Sequence, residues 1–269
     1  MRGSMLKIYL RFWQLTWAEQ WQYRANLLMY LLYWLVSPII YLAVWTSIAQ
    51  SKGSVNGLTA NDFVTYYMTL LIVDQITSNI VIHTFAYKVQ DGSLSGELVR
   101  PIHPMLTNAL VNNVAFKVLT IMGFVPVWTV LYFLFKPDFS SVTWGGILLA
   151  IPAMIMGFLI GFLLSAAITS LAFWTTRVYS IHEFYYALIL LFSGQFVPLT
   201  LMPKLIQDIA QYLPFQLLIY YPIQLILGKL SMAQIVQGYV MGFVWLAIAI
   251  TVFNLVWRNG VKRYSAVGA

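Results

Sequence analysis

The sequence has no cysteine and few charged residues of either sign. The lack of cysteine excludes disulfides, thiolate metal sites and cysteine nucleophiles. Asp, Glu, Lys and Arg make up 9% of the 269 residues, whereas a soluble domain has about 25%. Together with the apolar excess, this shortage excludes an ordinary soluble enzyme, a disordered tail and a nucleic-acid-binding protein, despite a formal net charge of +7.

Catalytic side chains are also scarce. The histidines are His83, His103 and His182, which are too scattered for a metal cluster or a Ser/His/Asp arrangement to be argued from spacing. The sequence contains no G-x-x-x-x-G-K-[ST] phosphate-binding loop. We therefore predict no cofactor, no metal site and no energy source within this chain.

What the sequence has in abundance is long apolar runs. Apolar residues make up 61% of the chain, and the mean hydropathy is +0.79. Because a bilayer core of about 30 Å needs about 20 apolar residues in a helix, the sequence predicts an all-α integral membrane protein. One domain, residues 25–269, is predicted to contain six transmembrane helices at 27–49, 63–82, 114–135, 144–173, 184–201 and 235–257.

The stretch between the fifth and sixth predicted spans is apolar but is interrupted by Pro203, Pro214 and Pro222. We predict short re-entrant or interfacial helices on the outer side here, rather than a seventh span. Such backbone requires protein or water around it, because lipid cannot satisfy its polar groups.

The distribution of Lys and Arg predicts the orientation. With six spans, both termini share a face with Arg2, Lys7, Arg11, Arg24, Lys88, Arg100, Lys117, Arg177, Arg258, Lys262 and Arg263, and the other face keeps Lys52, Lys136, Lys204 and Lys229. Positive residues favour the cytoplasmic side. We therefore predict a multi-pass membrane protein with both termini in the cytoplasm.

The N-terminal segment predicts a helix at the membrane interface. Residues 1–4 precede a second Met at position 5 and are predicted to be a tag remnant. Residues 5–24 combine regularly spaced cations with tryptophans, as in an amphipathic interface helix. The positions of interest are Lys7, Arg11, Trp13, Trp17, Trp21 and Arg24. The helix is either a simple anchor or an elbow that also contacts a cytoplasmic partner.

The loop between the second and third spans is the most charged part of the chain. Gly92 and Gly96 permit tight turns, Ser95 is predicted to cap a short helix, and Pro101 and Pro104 are predicted to end it. A rigid two-turn helix on a cytoplasmic loop suits a groove in a soluble partner. The alternative is a solvated connector.

Two features lie within the predicted spans. Gly157, Gly161, Ser165 and Thr169 form a small-residue stripe that favours close packing, either within the chain or across a dimer. Asp74 lies in the second span, and an acid at this depth is expected to face protein or water. The candidate pathway or subunit-interface residues are Asp74, Gln75, Thr77 and Ser78, and a structural hydrogen bond is the alternative.

These features together resemble one family, the permease subunits of type-2 ATP-binding-cassette (ABC) exporters. The likeness is strongest in QDGSLSGELVRPIHP at 90–104, and it recurs in FVPL at 196–199, MP at 202–203, LPF at 213–215 and KRYSAVGA at 262–269. It implies an N-terminal elbow helix, a cytoplasmic coupling helix and outer re-entrant helices. By position, it implies ATPase coupling by Asp91, Gly92, Leu94, Gly96, Glu97, Arg100 and Pro101.

The resemblance also implies partners. Two ATPase subunits would bind ATP and Mg, and a second permease subunit, the same or different, would complete the complex within the membrane lipids. The leading hypothesis is an exporter of a lipid, glycolipid or other amphiphile. An ion-coupled secondary transporter that uses Asp74 is one alternative. A membrane enzyme is another, although His182–Glu183 and Asp91–Glu97 are weak candidate pairs.

Overall fold

The computed structural model describes residues 2–22, 24–100 and 102–264. All the secondary-structure elements in this part of the chain are helices. The long elements are α1 (Arg2–Gln22), α2 (Arg24–Lys52), α3 (Ala60–Thr77), α4 (Val81–Gln90), α6 (Asn112–Phe135), α7 (Trp144–Ser170), α8 (Val178–Phe192) and α11 (Met232–Arg263). The short ones are α5 (Ser95–Leu98), α9 (Lys204–Ala210) and α10 (Tyr220–Ile226). A π-helical segment, Met105–Val111, leads directly into α6.

Four helical stretches are long and apolar enough to cross a membrane: Met29–Lys52, Ala109–Phe135, Trp144–Phe173 and Met232–Arg263. The prediction of an all-α membrane protein is confirmed. The other two predicted spans correspond to α3, with 18 residues, and α8, with 15. At 1.5 Å per residue, α3 is about 27 Å long, which is slightly shorter than a bilayer core of about 30 Å. The count of six spans therefore stays a prediction.

The second predicted span, 63–82, is wrong as a single helix. The α-helix ends at Thr77 and resumes at Val81, so Ser78, Asn79 and Ile80 interrupt it. Ser78 has an extended backbone (φ −60°, ψ 161°), which no helix can continue. The result is two helices, α3 and α4, joined by a three-residue break that we call the α3–α4 break.

The fifth predicted span, 184–201, is also displaced. Helix α8 ends at Phe192, and the chain turns at Gly194, whose φ is +84°. The hydroxyls of Tyr66 and Tyr67 on α3 donate to the carbonyl oxygens of Gly194 and Phe196, each at 2.7 Å. Because α3 supplies donors for this turn, the chain leaves the helix earlier than hydropathy indicates.

The loops gather at the two ends of the helices. At one end, Lys229 Nζ lies 3.7 Å from Asp62 Oδ1. The backbone N–H of Asp138 donates to Thr65 Oγ1 at 3.0 Å. At the other end, Gln90 Nε2 donates to the Thr176 carbonyl oxygen at 3.4 Å. Helices α9 and α10 have seven residues each and are too short to cross a membrane.

The small-residue stripe packs within the chain. Gly157, Gly161, Ser165 and Thr169 are all buried on α7. A Cβ added at Gly157 would lie 2.7 Å from the Leu217 carbonyl oxygen, which is backbone and cannot rotate away. This close contact holds the segment around Leu217 and Leu218 against α7, next to the α3–α4 break.

We predict that Gly157→Ala destabilises the fold by about 1–3 kcal/mol, because the added methyl group overpacks a backbone contact. The measurement is the apparent Tm of the purified chain in detergent. Gly145→Ala is the matched control on the same helix, since its new Cβ would meet only Thr143 Oγ1, at 3.9 Å. Equal Tm values for the two variants would contradict this packing.

Candidate functional site

The α3–α4 break is held by two side chains of α6. Lys117 Nζ donates to the Gln75 carbonyl oxygen at 3.0 Å and to Ser78 Oγ at 3.2 Å. Asn113 Oδ1 accepts the Ile80 backbone N–H at 2.8 Å. Because the last carbonyls of a helix lack partners within the helix, and its C-terminus carries partial negative charge, a lysine suits this position. The break is therefore a supported feature of the fold.

A cavity of about 140 Å³ lies beside the break. From α3 and the break it is lined by Asp74, Thr77, Ser78 and Asn79. Helix α2 contributes Tyr33 and Trp34, and α8 contributes His182, Glu183, Tyr185 and Tyr186. Leu218 and Ile219, from the stretch packed on α7, complete one wall. The cavity is thus formed where three helices and the segment between α8 and α11 meet.

Three of the four candidate pathway residues meet in this cavity. Asp74, Thr77 and Ser78 line it, as their spacing on one helix face predicts. Gln75 lies on the other side of α3, where it lines spaces next to α6. The structure therefore does not bring Gln75 to this cavity.

Several polar atoms around the cavity lack protein partners. Asp74 is 8% exposed, and in the described part of the chain its carboxylate makes no hydrogen bond or ion pair. The Tyr185 hydroxyl and Asn79 Oδ1 are buried and have no hydrogen-bond partner among the residues that the structure describes. A buried polar group left unsatisfied costs about 1–3 kcal/mol. Asp74 retains a small exposed surface in the cavity, so its carboxylate is the group of the three that water or a ligand can reach.

Sequence reasoning missed the contribution of α8 to this cavity. Glu183 and Tyr186 lie three residues apart, and this spacing places them on one face of α8. The acid at the beginning of α8 is a usable signal for a polar site, but the sequence interpretation treats His182–Glu183 only as a weak catalytic pair. Tyr33 and Trp34 gave no signal, because aromatic residues are common in an apolar span.

A second candidate site is the loop after α4, residues 91–100, which we call the inner loop after its predicted cytoplasmic position. Gly92 has a φ of +83°, and Asp91 Oδ1 accepts from the backbone N–H of Ser93 at 2.9 Å and from its hydroxyl at 2.7 Å. These two hydrogen bonds hold the pKa of Asp91 below its ordinary value, so the carboxylate stays charged. The turn is therefore fixed by Asp91, Gly92 and Ser93 together.

The prediction that Ser95 caps a two-turn helix is wrong. Helix α5 is a single turn, Ser95–Leu98, and Leu94 occupies its N-cap position. The Ser95 hydroxyl donates instead to the Gly92 carbonyl oxygen at 2.8 Å. The helix ends before Arg100, and Pro101 lies outside the described residues.

The predicted coupling residues divide into inward-facing and outward-facing groups. Leu94 is fully buried in a cluster that includes Trp257, and Glu97 forms an ion pair with Lys88 at 2.7 Å. Gly96 and Arg100 are exposed, as is the neighbouring Val99, with 85% of its surface accessible. Leu94 and Glu97 therefore fix α5 to α4, and Gly96, Val99 and Arg100 form the exposed surface of the turn. Asp91 is also exposed, whereas Gly92 is buried.

The predicted elbow lies in α1, which begins at Arg2 and therefore includes residues 2–4. Arg11 donates to Gln14 Oε1 at 3.1 Å, and the rings of Trp13 and Trp17 stack with their centroids 6.2 Å apart. Trp21 is exposed. Helix α1 packs against α6 and the π-helical segment. Lys7 falls within α1, and Arg24 is the first residue of α2.

Comparison with known proteins assigns the class. The fold is that of a multi-pass α-helical membrane protein, and among the described residues no group of His, Cys, Asp or Glu could hold a metal ion. The family model described as "ABC-2 family transporter protein" matches residues 25–268. The chain therefore belongs to the ABC-2 transporter family and is an ABC-type permease, a membrane subunit that works with an ATPase. No curated protein sequence matched the chain.

We predict that the cavity admits water-soluble reagents. The sequence has no natural cysteine, so Thr77→Cys would be the sole thiol. The expected result is modification by a small methanethiosulfonate about tenfold or more faster than for Thr69→Cys, because thiol reactivity requires access.

Thr69 is a matched control. It is buried on the same helix, and its hydroxyl, like that of Thr77, donates to the carbonyl oxygen four residues earlier. Labelling rates in membranes, measured by mass spectrometry, decide the point. Equal rates would mean that Thr77 does not face accessible space.

Proposed function

We propose that this chain is the transmembrane subunit of an ATP-driven exporter in the bacterial cytoplasmic membrane. It would pair with a second permease subunit, the same or different, and with two ATPase subunits that bind ATP and Mg. Its substrate would be a lipid, glycolipid or other amphiphile. Both termini would lie in the cytoplasm, together with α5, because most Lys and Arg residues fall on that side.

The observation that carries this proposal is the attachment of α5 to α4. The Lys88–Glu97 ion pair crosses the turn, and the Leu94 amide donates to the Lys88 carbonyl oxygen at 3.0 Å. Buried Leu94 adds an apolar contact beneath them. A force applied to Val99 and Arg100 would therefore pass to α4 rather than bend the loop.

Helix α4 connects this surface to the cavity. It begins at Val81, directly after the α3–α4 break, and its ten residues extend about 15 Å to the inner loop. We expect α4 and α5 to move as one body when the ATPase subunits close on ATP, with the break acting as the hinge. Residues of the break would then change their contacts in the cavity, which gives the ligand different affinities in the two states.

An ion-coupled secondary transporter is the second candidate, because buried Asp74 faces the cavity without a hydrogen bond or ion pair in the described part of the chain. The two functions differ in their energy source. Transport that persists without ATP and stops when the ion gradient collapses would favour the second. Copurification of an ATPase subunit with the detergent-solubilised chain would support the first, and a purified chain that transports alone would contradict it.

We predict that Val99→Asp or Arg100→Ala weakens ATPase binding by about tenfold or more, equivalent to about 1.4 kcal/mol. Val99→Asp places a charge on the apolar part of the docking surface, and Arg100→Ala removes its cation. Lys52→Ala removes an exposed cation at the opposite end of the helices and serves as the control. ATPase recovered in a pull-down is the measurement. Normal recovery with both loop variants would contradict this docking surface.

We also predict that Glu97 acts through Lys88. Glu97→Ala and Lys88→Ala should each reduce ATP-driven transport several-fold, because either change loosens α5 from α4. The double exchange Lys88→Glu with Glu97→Lys restores the pair and should recover most of the loss. If the exchange is as defective as the single variants, Glu97 contacts the ATPase directly instead.

A further inference from the structure

The charge of the cavity indicates which ligands it favours. The carboxylates of Asp74 and Glu183 both belong to its lining, and among the described lining residues there is no Lys or Arg. Lys117 is the cation that interacts electrostatically with Asp74. However, its ammonium group bonds to Gln75 and Ser78 on the side of α6 and does not line the cavity. An anion entering this space would meet two carboxylates and no Lys or Arg among the lining residues.

The unpartnered polar atoms point the same way. The Asp74 carboxylate and Asn79 Oδ1 are hydrogen-bond acceptors, and the Tyr185 hydroxyl can also accept. Asp74 and Tyr185 are 8% and 7% exposed, so bulk water does not fully solvate them. The Asp74 carboxylate lines the cavity and has no hydrogen bond within the described part of the chain, so it favours a ligand that brings donors or positive charge.

Aromatic rings supply the rest of the lining. Tyr33 and Trp34 on α2 line the same cavity as Tyr185 and Tyr186 on α8. The face of an aromatic ring attracts a cation, most strongly for Trp, and rings around a quaternary ammonium form a recognised binding arrangement. A neutral hydroxylated ligand would also donate hydrogen bonds to the carboxylates, but it carries no charge to offset theirs, whereas a cation does.

We propose that this cavity binds the cationic head of the transported substrate, an ammonium or a related organic cation carried on an amphiphile. This inference rests on the proposed function and names the substrate class of the same site. The volume of about 140 Å³ accommodates a small substituted ammonium group. Ile189, Leu218 and Ile219 form an apolar wall beside the charged end, against which a hydrocarbon tail would lie.

The test uses the full chain, with its ATPase where one copurifies, in nanodiscs of neutral lipid. Three probes share one benzyl scaffold: benzyltrimethylammonium as the cation, 2,2-dimethyl-3-phenyl-1-propanol as a neutral analogue of similar shape, and phenylmethanesulfonate as the anion. Affinities are measured by isothermal titration calorimetry. We expect the cation to bind about tenfold or more tightly than either other probe, since tenfold corresponds to about 1.4 kcal/mol.

Two carboxylate variants test the origin of this preference. Asp74→Asn and Glu183→Gln should each weaken binding of the cation about tenfold and leave the neutral probe unchanged. Glu183 is exposed, so its variant tests the proposal even if Asp74→Asn fails to fold. Glu19→Gln, an exposed acid on α1 away from the cavity, is the matched control and should bind all three probes normally.

A pair of ring variants separates the aromatic contribution from the hydroxyl. Tyr33→Phe should retain binding of the cation, whereas Tyr33→Leu should lower it about threefold or more, because only the second change removes the ring. Equal loss in both variants would mean that the hydroxyl, and not the ring face, holds the ligand.

Equal affinity for the cation and the neutral probe, or tighter binding of the anion, would overturn the proposal. Unchanged cation affinity in both carboxylate variants would do the same. Failure here is distinguishable from failure of the proposed function. If an ATPase copurifies but the cation shows no preference, only the substrate class is wrong. If the cation binds selectively but no ATPase associates, the cavity is still a cation site, and the proposed function as an ATP-driven exporter is wrong.

Discussion

Both candidate sites depend on the support that α6 gives to the α3–α4 break. Lys117 reaches the end of α3 and Asn113 reaches the beginning of α4, so that the chain can leave the helix between them. Without these bonds, the run from Ala60 to Gln90 would be expected to form one continuous helix. Asp74 and Asn79 line the cavity beside the break, and the break separates α3 from α4, which ends at the inner loop.

Helix α4 connects the two candidate sites, the cavity and the inner loop. The Lys88–Glu97 ion pair makes α5 an extension of α4, and the other end of α4 adjoins the cavity. Around the cavity, buried acceptors remain unpaired where an ordinary protein interior would satisfy them. Such unsatisfied groups reduce the stability of the fold. Proteins commonly accept this loss at functional sites. If the proposed function holds, the ATPase at one end and the ligand at the other would both act on α4.

Some of this could be predicted from sequence and some could not. The long apolar runs fixed the helical membrane fold, and the prolines between Met202 and Met232 correctly indicated short helices there. The break was missed because Ser78 and Asn79 look like minor polar flaws in an apolar run, and their support comes from α6, distant in the sequence. The end of α8 was missed for the same reason, since the phenols that hold its turn lie on α3. Contacts between distant segments leave no periodic signal.

The most direct test of the central claim measures movement of α4 relative to α3 when ATP binds. Because the natural chain has no cysteine, spin labels can be placed at Tyr87→Cys on α4 and Met122→Cys on α6, both exposed. A second pair, Asn61→Cys with Met122→Cys, reports on α3 against α6. In the complex with its ATPase, electron-resonance distances should change on adding ATP for the first pair and stay constant for the second. Unchanged distances for both pairs, in a complex that hydrolyses ATP, would contradict the account.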